Sequence, residues 1–173
     1  MHKITLGGGC FWCIEAVYSQ TKGIIKATCG YANGHTKNPT YKDVCTGTTG
    51  HAEVVQVEFD DKIIPLERVL DILWTIHDPT TLNRQGADAG TQYRSCIYFK
   101  GEKQKEIVIE SLQKAQSEFR DKIVTEVAPL QMFYPAEDYH QNYFVKNPYQ
   151  SYCLAIVAPK IDKFHKKYQE LVK

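Results

Sequence analysis

The sequence predicts an α+β fold, a two-layer sandwich with a mixed β-sheet. Strand-like and helix-like segments interleave along the chain without the strict alternation of a parallel α/β fold. The chain has 173 residues, 43% of them hydrophobic, which is enough to fill one core. We therefore expect a single domain over residues 1–173.

Five segments have the character of strands, because they are rich in apolar residues and are bounded by glycine, proline or polar turn residues. In the third segment, Val55, Val57 and Phe59 alternate with polar residues, which predicts one buried face. The predicted strands cover residues 4–6, 24–32, 52–59, 95–99 and 123–129.

Five other segments are predicted to be helices, and three of them are amphipathic or repeat apolar residues at helical spacing. The clearest of them places Leu66, Val69 and Leu73 on one face, and Pro159 suits the first turn of the last helix. The predicted helices cover residues 10–19, 66–77, 103–120, 138–145 and 159–172. Segments 33–50 and 78–93 are predicted as long loops, which are more often functional than idle.

The charge pattern does not indicate a polyanionic partner. Charged residues make up 24% of the chain and the formal net charge is +1, which favours neither nucleic acid nor an anionic membrane. No stretch reaches the roughly 20 apolar residues that a bilayer-spanning helix needs, and residues 1–9 lack the pattern of a signal peptide. We expect a cytoplasmic protein and a monomer.

Cysteine is the residue type that points to chemistry. A chain of this size needs no disulfide scaffold, and a structural zinc site usually needs two closely spaced ligand pairs. Only Cys10 and Cys13 form such a pair and the six histidines are dispersed, so we predict no metal site. Redox chemistry is the best remaining reason for the six cysteines, which are Cys10, Cys13, Cys29, Cys45, Cys96 and Cys153.

Cys10 is the candidate nucleophile, because it follows three glycines and lies at a predicted helix start. The unpaired amides and dipole of a helix start favour a thiolate, the reactive form of cysteine. Phe11 and Trp12 could form the wall of an apolar pocket beside it, and ordinary core packing explains them equally well. Burial of Cys10 and Cys13 as small hydrophobes is the alternative, which the glycine run and the spacing disfavour.

The segment Gly9-Cys10-Phe11-Trp12 resembles the active-site signature of the A-type peptide methionine sulfoxide reductases. Further motifs of that family follow in the right order over roughly 150 residues, a highly specific signal. They are Asn38-Pro39-Thr40-Tyr41, Gly50-His51-Ala52-Glu53, the segment 86–95 and the segment 133–141. The resemblance implies the family's α+β sandwich, for which we expect a ferredoxin-like core, and a single catalytic domain over residues 1–173.

The resemblance also implies that the chain reduces the S epimer of methionine sulfoxide, free or in a peptide, with Cys10 as nucleophile. Glu53 matches the family's acid, whereas strand alternation alone treats it as a solvated residue. A carboxyl in an apolar pocket can hold a proton near neutral pH and deliver it to the sulfoxide oxygen. The remaining matches are Tyr41 and Tyr93 for that oxygen, Phe11 and Trp12 for the methyl group, and Asp88 in a supporting role. We interpret His51 and His140 as structural hydrogen-bonding residues.

A second thiol must then condense with the oxidised Cys10, and the resemblance implies thioredoxin as the external reductant, without metal or organic cofactor. Cys153 ranks slightly ahead of Cys13 as this resolving cysteine, and the two could act in sequence. Many family members have glycine at the position of Cys13 and a glycine-rich tail with cysteines, which this chain lacks. Cys45 is a weaker candidate, and Cys29 and Cys96 are predicted to be inert buried thiols.

Three other functions fit parts of the pattern. A general thiol–disulfide oxidoreductase would use Cys10 and Cys13 and would not need Glu53. A binding module for methionine-rich peptides would keep its affinity without Cys10. A zinc-binding domain is disfavoured by the missing second ligand pair.

Overall fold

The computed structural model describes residues 2–173, and its strands and helices follow one another irregularly along the chain. The strands are β1 (His2–Gly7), β2 (Ile24–Ala32), β3 (Ala52–Phe59), β4 (Arg84–Gln85), β5 (Asp88–Ala89), β6 (Cys96–Phe99), β7 (Glu126–Pro129) and β8 (Phe133–Pro135). The α-helices are α1 (Phe11–Tyr18), α2 (Tyr41–Cys45), α3 (Leu66–Ile76), α4 (Gly101–Gln116), α5 (Tyr143–Lys146) and α6 (Ala158–Lys167). A π-helical segment, Cys153–Val157, immediately precedes α6.

Six strands form one sheet in the order β7-β6-β1-β3-β2-β8, and β4 pairs with β5 in a separate hairpin. The central strand β3 is antiparallel to both neighbours, with Val57 opposite Ile4 of β1 and Val55 opposite Cys29 of β2. The pair β6–β7 is parallel. The predicted α+β class with a mixed sheet is therefore confirmed.

The two faces of the sheet are covered differently. One face carries Leu6, Val55 and Val57 into the main core, where helices α1, α3, α4 and α6 supply most of the other apolar side chains. The opposite face carries a small cluster around Val54 and Tyr98, against which Ala128 of β7, Leu130 and Phe133 of β8 pack. This arrangement follows from the period-two alternation of β3, which sends successive side chains to opposite faces.

Most of the predicted helices are present, but they begin or end at residues other than those predicted. The helix predicted over 138–145 is instead a 3-10 turn, Asp138–His140, followed by α5, because Asn142 between them has a left-handed backbone with φ of 57°. The last helix begins near residue 151 rather than at Pro159, and the π-helical segment ends two residues before that proline. None of the helices in residues 2–173 is long and apolar enough to cross a membrane.

The loop predictions were wrong in part. Segment 33–50 contains α2, which starts with a reciprocal capping box: Thr40 Oγ1 accepts the Asp43 amide, and the Asp43 carboxylate accepts the Thr40 amide. The hairpin β4–β5 lies in segment 78–93. Of the strand predicted over 123–129, only β7 is paired.

Candidate active site

Cys10 is the N-cap residue of α1, and the glycines before it allow the chain to turn sharply from β1 into the helix. Gly9 has φ of +86°, a conformation that side chains disfavour. At Gly8, an added Cβ would lie 2.6 Å from Cδ2 of the buried His77. Glycine is therefore required at both positions for steric reasons, and Cys10 is left partly exposed at the start of the helix.

The Cys10 thiol does not have the lowered pKa that its helix position predicts. Burial and the charge of Glu53 raise the pKa of Cys10 well above its ordinary value of 9.0, and the bond from the Trp12 amide offsets only a small part of this rise. The expected effect of the helix start is present but desolvation exceeds it. In the resting structure Cys10 therefore holds its proton at neutral pH.

Glu53 on β3 is 1% exposed and lies beside the start of α1. Its Oε1 accepts the Phe11 amide at 3.2 Å, while its buried Oε2 has no hydrogen-bond partner among residues 2–173. Burial raises the pKa of Glu53 to about 8, the Phe11 amide lowers it, and the charge of Asp88 raises it further. The carboxyl is thus protonated at neutral pH and its second oxygen is free to donate that proton.

The interpretation of Glu53 as solvated on the basis of strand alternation is wrong. Residues 53, 55, 57 and 59 share one parity, so Glu53 belongs to the same face as Val55 and Val57. That face is the one covered by the helices.

Tyr41 and Tyr93 approach Glu53 from the two predicted loops. Tyr41 is the first residue of α2, and Tyr93 is the last residue of the 3-10 turn Thr91–Tyr93. Burial and the charge of Glu53 raise the pKa of both phenols. Their hydroxyl groups are therefore protonated donors.

Two hydrogen-bonding residues fix the loops that carry these tyrosines. His51 accepts the Gly34 amide at Nδ1, at 2.9 Å, and donates from Nε2 to the Thr36 carbonyl at 2.7 Å. Arg94 donates to the carbonyl oxygens of Gly50 and Thr91, each at 2.9 Å. The expected structural role of His51 agrees with this geometry.

Phe11 and Trp12 have different environments. Phe11 is fully buried and its ring centroid lies 5.0 Å from that of His140 and 6.4 Å from that of Tyr41. Trp12 is partly exposed and stacks on Tyr143, with centroids 3.7 Å apart and ring planes 4° apart. Its Nε1–H donates to Nδ1 of His140 at 3.0 Å.

Several residues of this site lie outside the predicted set. Tyr143 and Tyr152 both contact Trp12, and the Tyr152 hydroxyl donates to the Asp88 carboxylate at 2.6 Å. Glu137 accepts the Tyr41 amide at 2.9 Å. The density of aromatic residues after the fourth motif was the available signal for the tyrosines, whereas nothing in the sequence pairs Glu137 with Tyr41.

A cavity of about 650 Å³ adjoins Cys10. It lies between the β4–β5 hairpin and the last helix, and Asp88, Tyr152, Ile156 and Lys160 are among its lining residues. A larger cavity, of about 870 Å³ between α3, α4 and α6, contains none of the predicted site residues. Of the predicted site residues, Cys10 and Asp88 line the cavity of about 650 Å³.

The remaining cysteines differ in depth and in neighbours. Cys13 and Cys153 are both buried, and the charge of Cys153 raises the pKa of Cys13. Burial raises the pKa of Cys13 to about 11, while the charge of Lys160 lowers it. Cys29 and Cys96 are buried within strands, and Cys45 is exposed on α2. Residues 2–173 contain no group of three or more Cys, His, Asp or Glu side chains placed to hold a metal ion.

A family model described as peptide methionine sulfoxide reductase matches residues 2–172. The chain belongs to this family. The peptide methionine sulfoxide reductase MsrA of Leptospira borgpetersenii is 58% identical over 166 residues, which cover 96% of this chain and 94% of that protein. MsrA of Saccharolobus solfataricus is 52% identical over 173 residues, covering 100% and 98%. The chain is thus an oxidoreductase of methionine sulfoxide.

Solved structures of the family have the same architecture. Mxr1 of Saccharomyces cerevisiae in its reduced form has a TM-score of 0.83 at 40% identity, covering 86% of this chain and 87% of that one. Mxr1 in complex with Trx2 has a TM-score of 0.60 at 29% identity, covering 82% and 84%. The chain therefore shares the fold of the family as well as its sequence.

Proposed function

We propose that this family member reduces the S epimer of methionine sulfoxide, free or within a peptide, with Cys10 as nucleophile and Glu53 as acid. The observation that carries the proposal is the unpartnered, buried Oε2 of Glu53, on a carboxyl that keeps its proton at neutral pH. Such a group can donate to an oxygen that gains negative charge. The choice of the S epimer rests on the A-type signature around Cys10.

In the first step the Cys10 sulfur attacks the sulfoxide sulfur while Glu53 protonates the sulfoxide oxygen. The hydroxyl group then moves from the substrate sulfur to the Cys10 sulfur: a sulfur–oxygen bond forms on Cys10, while the substrate's sulfur–oxygen bond and the transient bond between the two sulfurs break. Methionine leaves and Cys10 is a sulfenic acid. The proton from the Cys10 thiol replaces the one that Glu53 donated. Cys10 loses the two electrons that the substrate gains, so no other redox group enters this step.

The other predicted residues bind and orient the substrate. The protonated hydroxyls of Tyr41 and Tyr93 approach Glu53 and can donate to the same sulfoxide oxygen. Phe11 and Trp12 supply the aromatic wall for the methyl group. Asp88 supports that wall by accepting the Tyr152 hydroxyl, since Tyr152 contacts Trp12.

The sulfenic acid is resolved by Cys13 and then by Cys153, acting as a relay. Charge on Cys13 affects Cys10, and charge on Cys153 affects Cys13, which is the order of neighbours that a relay needs. Cys13 condenses with the sulfenic acid, releasing water and forming a disulfide with Cys10. Cys153 then attacks the Cys13 sulfur, which frees Cys10 and transfers the disulfide.

An external dithiol reduces the final disulfide to two thiols. The complex of the similar yeast protein Mxr1 with Trx2 supports a thioredoxin as this partner. The cysteines carry the electrons themselves, so the proposed cycle uses no metal or organic cofactor.

The strand order supports a ferredoxin-like core within a single catalytic domain. Strands β6, β1, β3 and β2 are consecutive neighbours in the sheet, and each neighbouring pair is antiparallel. Helix α1 connects β1 to β2 and α3 lies between β3 and β6, which is the βαββαβ arrangement.

The test is turnover of separated S and R epimers of a methionine sulfoxide peptide with dithiothreitol. We expect turnover of the S epimer only, none in Cys10→Ser, and a fall of roughly 10²–10⁴-fold in Glu53→Gln. Glu58→Gln on the same strand is the control and should retain full activity. Full activity in Glu53→Gln, or reduction of protein disulfides in place of sulfoxide, contradicts the proposal.

The relay is tested by comparing thioredoxin-driven with dithiothreitol-driven rates. Cys13→Ser and Cys153→Ser should both lose the first rate by more than about tenfold and keep the second, because the small thiol can reach Cys10 directly. Cys45→Ser is the control and should keep both rates. A full thioredoxin-driven rate in Cys13→Ser would show that Cys153 resolves Cys10 without it.

A further inference from the structure

Glu15 is a buried carboxyl to which the proposed reaction gives no role. It lies on α1, is 2% exposed, and follows Trp12 by three residues. Residues three apart on a helix are neighbours on its surface. Glu15 and Trp12 therefore face the same part of the structure, one helical turn apart.

The contact that Glu15 makes is with the backbone at the start of α5. Its Oε2 accepts the Asn142 amide at 2.6 Å. Asn142 is the N-cap of α5, its side chain makes no capping bond, and its backbone is left-handed with φ of 57°. The Glu15 carboxyl thus supplies an acceptor at a helix start where the N-cap side chain supplies none.

The next residue along the chain is Tyr143, which stacks on Trp12. The preceding residue, Gln141, is attached to β2, because its side chain accepts the Cys29 amide at 2.9 Å and donates to the Cys29 carbonyl at 3.0 Å. Two side-chain anchors therefore hold consecutive residues just before Tyr143, one to the sheet and one to α1.

We propose that Glu15 is a positioning residue: by accepting the Asn142 amide it holds Tyr143 flat against Trp12 and so keeps the aromatic wall beside Cys10 in place. It contacts no reacting atom. Only the KM measurement rests on the proposed function, because the packing of Tyr143 on Trp12 can also be measured without substrate.

Glutamine is the conservative replacement for this role. Burial raises the pKa of Glu15 to about 7, while the Asn142 amide and the charge of Lys146 lower it. The group is therefore protonated in part at neutral pH, and a neutral amide oxygen can accept the same bond. Alanine removes the acceptor altogether and leaves the Asn142 amide without it.

The experiment uses the full chain with Trp74→Phe, so that Trp12 is the one tryptophan left. Glu15→Ala should raise acrylamide quenching of Trp12 about threefold, and should raise KM for a methionine sulfoxide peptide about tenfold with kcat changed less than about threefold. Glu15→Gln should restore both to within about twofold. A uniform loss of binding of this kind is expected if the wall holds substrate and transition state alike.

Tyr18→Phe is the matched control. It lies on the same helix and loses a buried hydrogen bond of 2.6 Å, which its hydroxyl donates to the Val69 carbonyl of α3 rather than to a residue of α5. It should leave Trp12 quenching and KM unchanged. Equal effects of Tyr18→Phe and Glu15→Ala would mean that general loosening of α1 explains the result, and would overturn the proposal.

Amide hydrogen exchange in the unaltered chain gives a second test, which holds even if Glu15→Ala fails to fold. Asn142 is an exposed residue, yet its amide should exchange at least about 100-fold more slowly than in an unstructured peptide, because Glu15 binds it. Unprotected exchange at Asn142 would overturn the proposal. This outcome is independent of turnover, so failure of the reductase assay would leave it standing.

Discussion

Replacing Glu53 by glutamine is expected to stabilise the fold while it removes activity. The folded pKa of Glu53 is about 8, against an ordinary value of 4.5. Between those two pH values the folded chain binds more protons than the unfolded chain, so the free energy of unfolding falls as pH rises. Glutamine fits the same space, can accept the Phe11 amide, and has no proton to take up.

The size of the effect follows from the shift in pKa. At pH 7 the unfolded carboxyl is ionised and the folded one is protonated, which costs about 3 kcal/mol at 1.36 kcal/mol for each pH unit above the ordinary pKa. Glu53→Gln should recover this cost, raising Tm by roughly 6–12 °C for a chain of this length. The gain should vanish below about pH 4.5 and level off at roughly 5 kcal/mol above pH 8.

Urea denaturation of both proteins at several pH values between 4.5 and 9 measures this difference. Glu58→Gln, on the same strand but on its other face, is the matched control and should change stability by less than about 0.5 kcal/mol at every pH. The reasoning is refuted if Glu53→Gln is less stable than the parent at pH 8. A stability gain that does not change with pH refutes it equally.

Two other predictions follow from burial. The first concerns alkylation of Cys10 by iodoacetamide in a chain whose other five cysteines are serine. Because burial raises the pKa of Cys10, its alkylation at pH 7 should be at least about tenfold slower than that of free cysteine, and the rate should still increase above pH 9. Faster alkylation would mean that the helix start lowers the pKa of Cys10 by more than burial raises it. Arg94→Met should cost about 2–4 kcal/mol in urea denaturation, because the mostly buried Arg94 donates to Gly50 and Thr91 and pairs with Glu126. Arg68→Met, which breaks the exposed pair with Glu170, is the control and should cost less than about 1 kcal/mol. Equal losses would show that the Arg94 bonds contribute little.

Local patterns predict the long elements of this fold and miss the short ones. Helix α3 is predictable because its apolar periodicity continues for two or more turns, and strand β3 because its alternation continues over eight residues. Strand β8 has three residues and ends in proline, so no alternation can be recognised, and its pairing with β2 spans about 100 residues of sequence. Helix α2 had a local signal, the Thr40 and Asp43 capping pair, which a search for apolar periodicity passes over.

The residues of the candidate site are likewise predicted only in part. The motifs name Cys10 and Glu53, but the raised pKa of Cys10 depends on desolvation by residues distant in sequence, which no motif encodes. Tyr143 and Glu15 act through contacts between α1 and a segment more than 120 residues away. Such contacts come from tertiary packing, and for that reason the supporting residues escaped prediction while the reacting ones did not.

The π-helical segment before α6 sets the rotational phase between two parts of one continuous helix. A π turn contains an extra residue compared with an α turn, and each residue of an α-helix advances the side chains by about 100°. Deleting the exposed Ala155 would restore regular α-helix and rotate Cys153 and Tyr152 about the axis relative to α6. Cys153 would then turn by about 100° relative to α6, and under the proposed relay the thioredoxin-driven rate should be lost while the dithiothreitol-driven rate survives. The π turn thus sets the direction of the Cys153 side chain relative to α6, and a regular helix of the same composition would give it another direction.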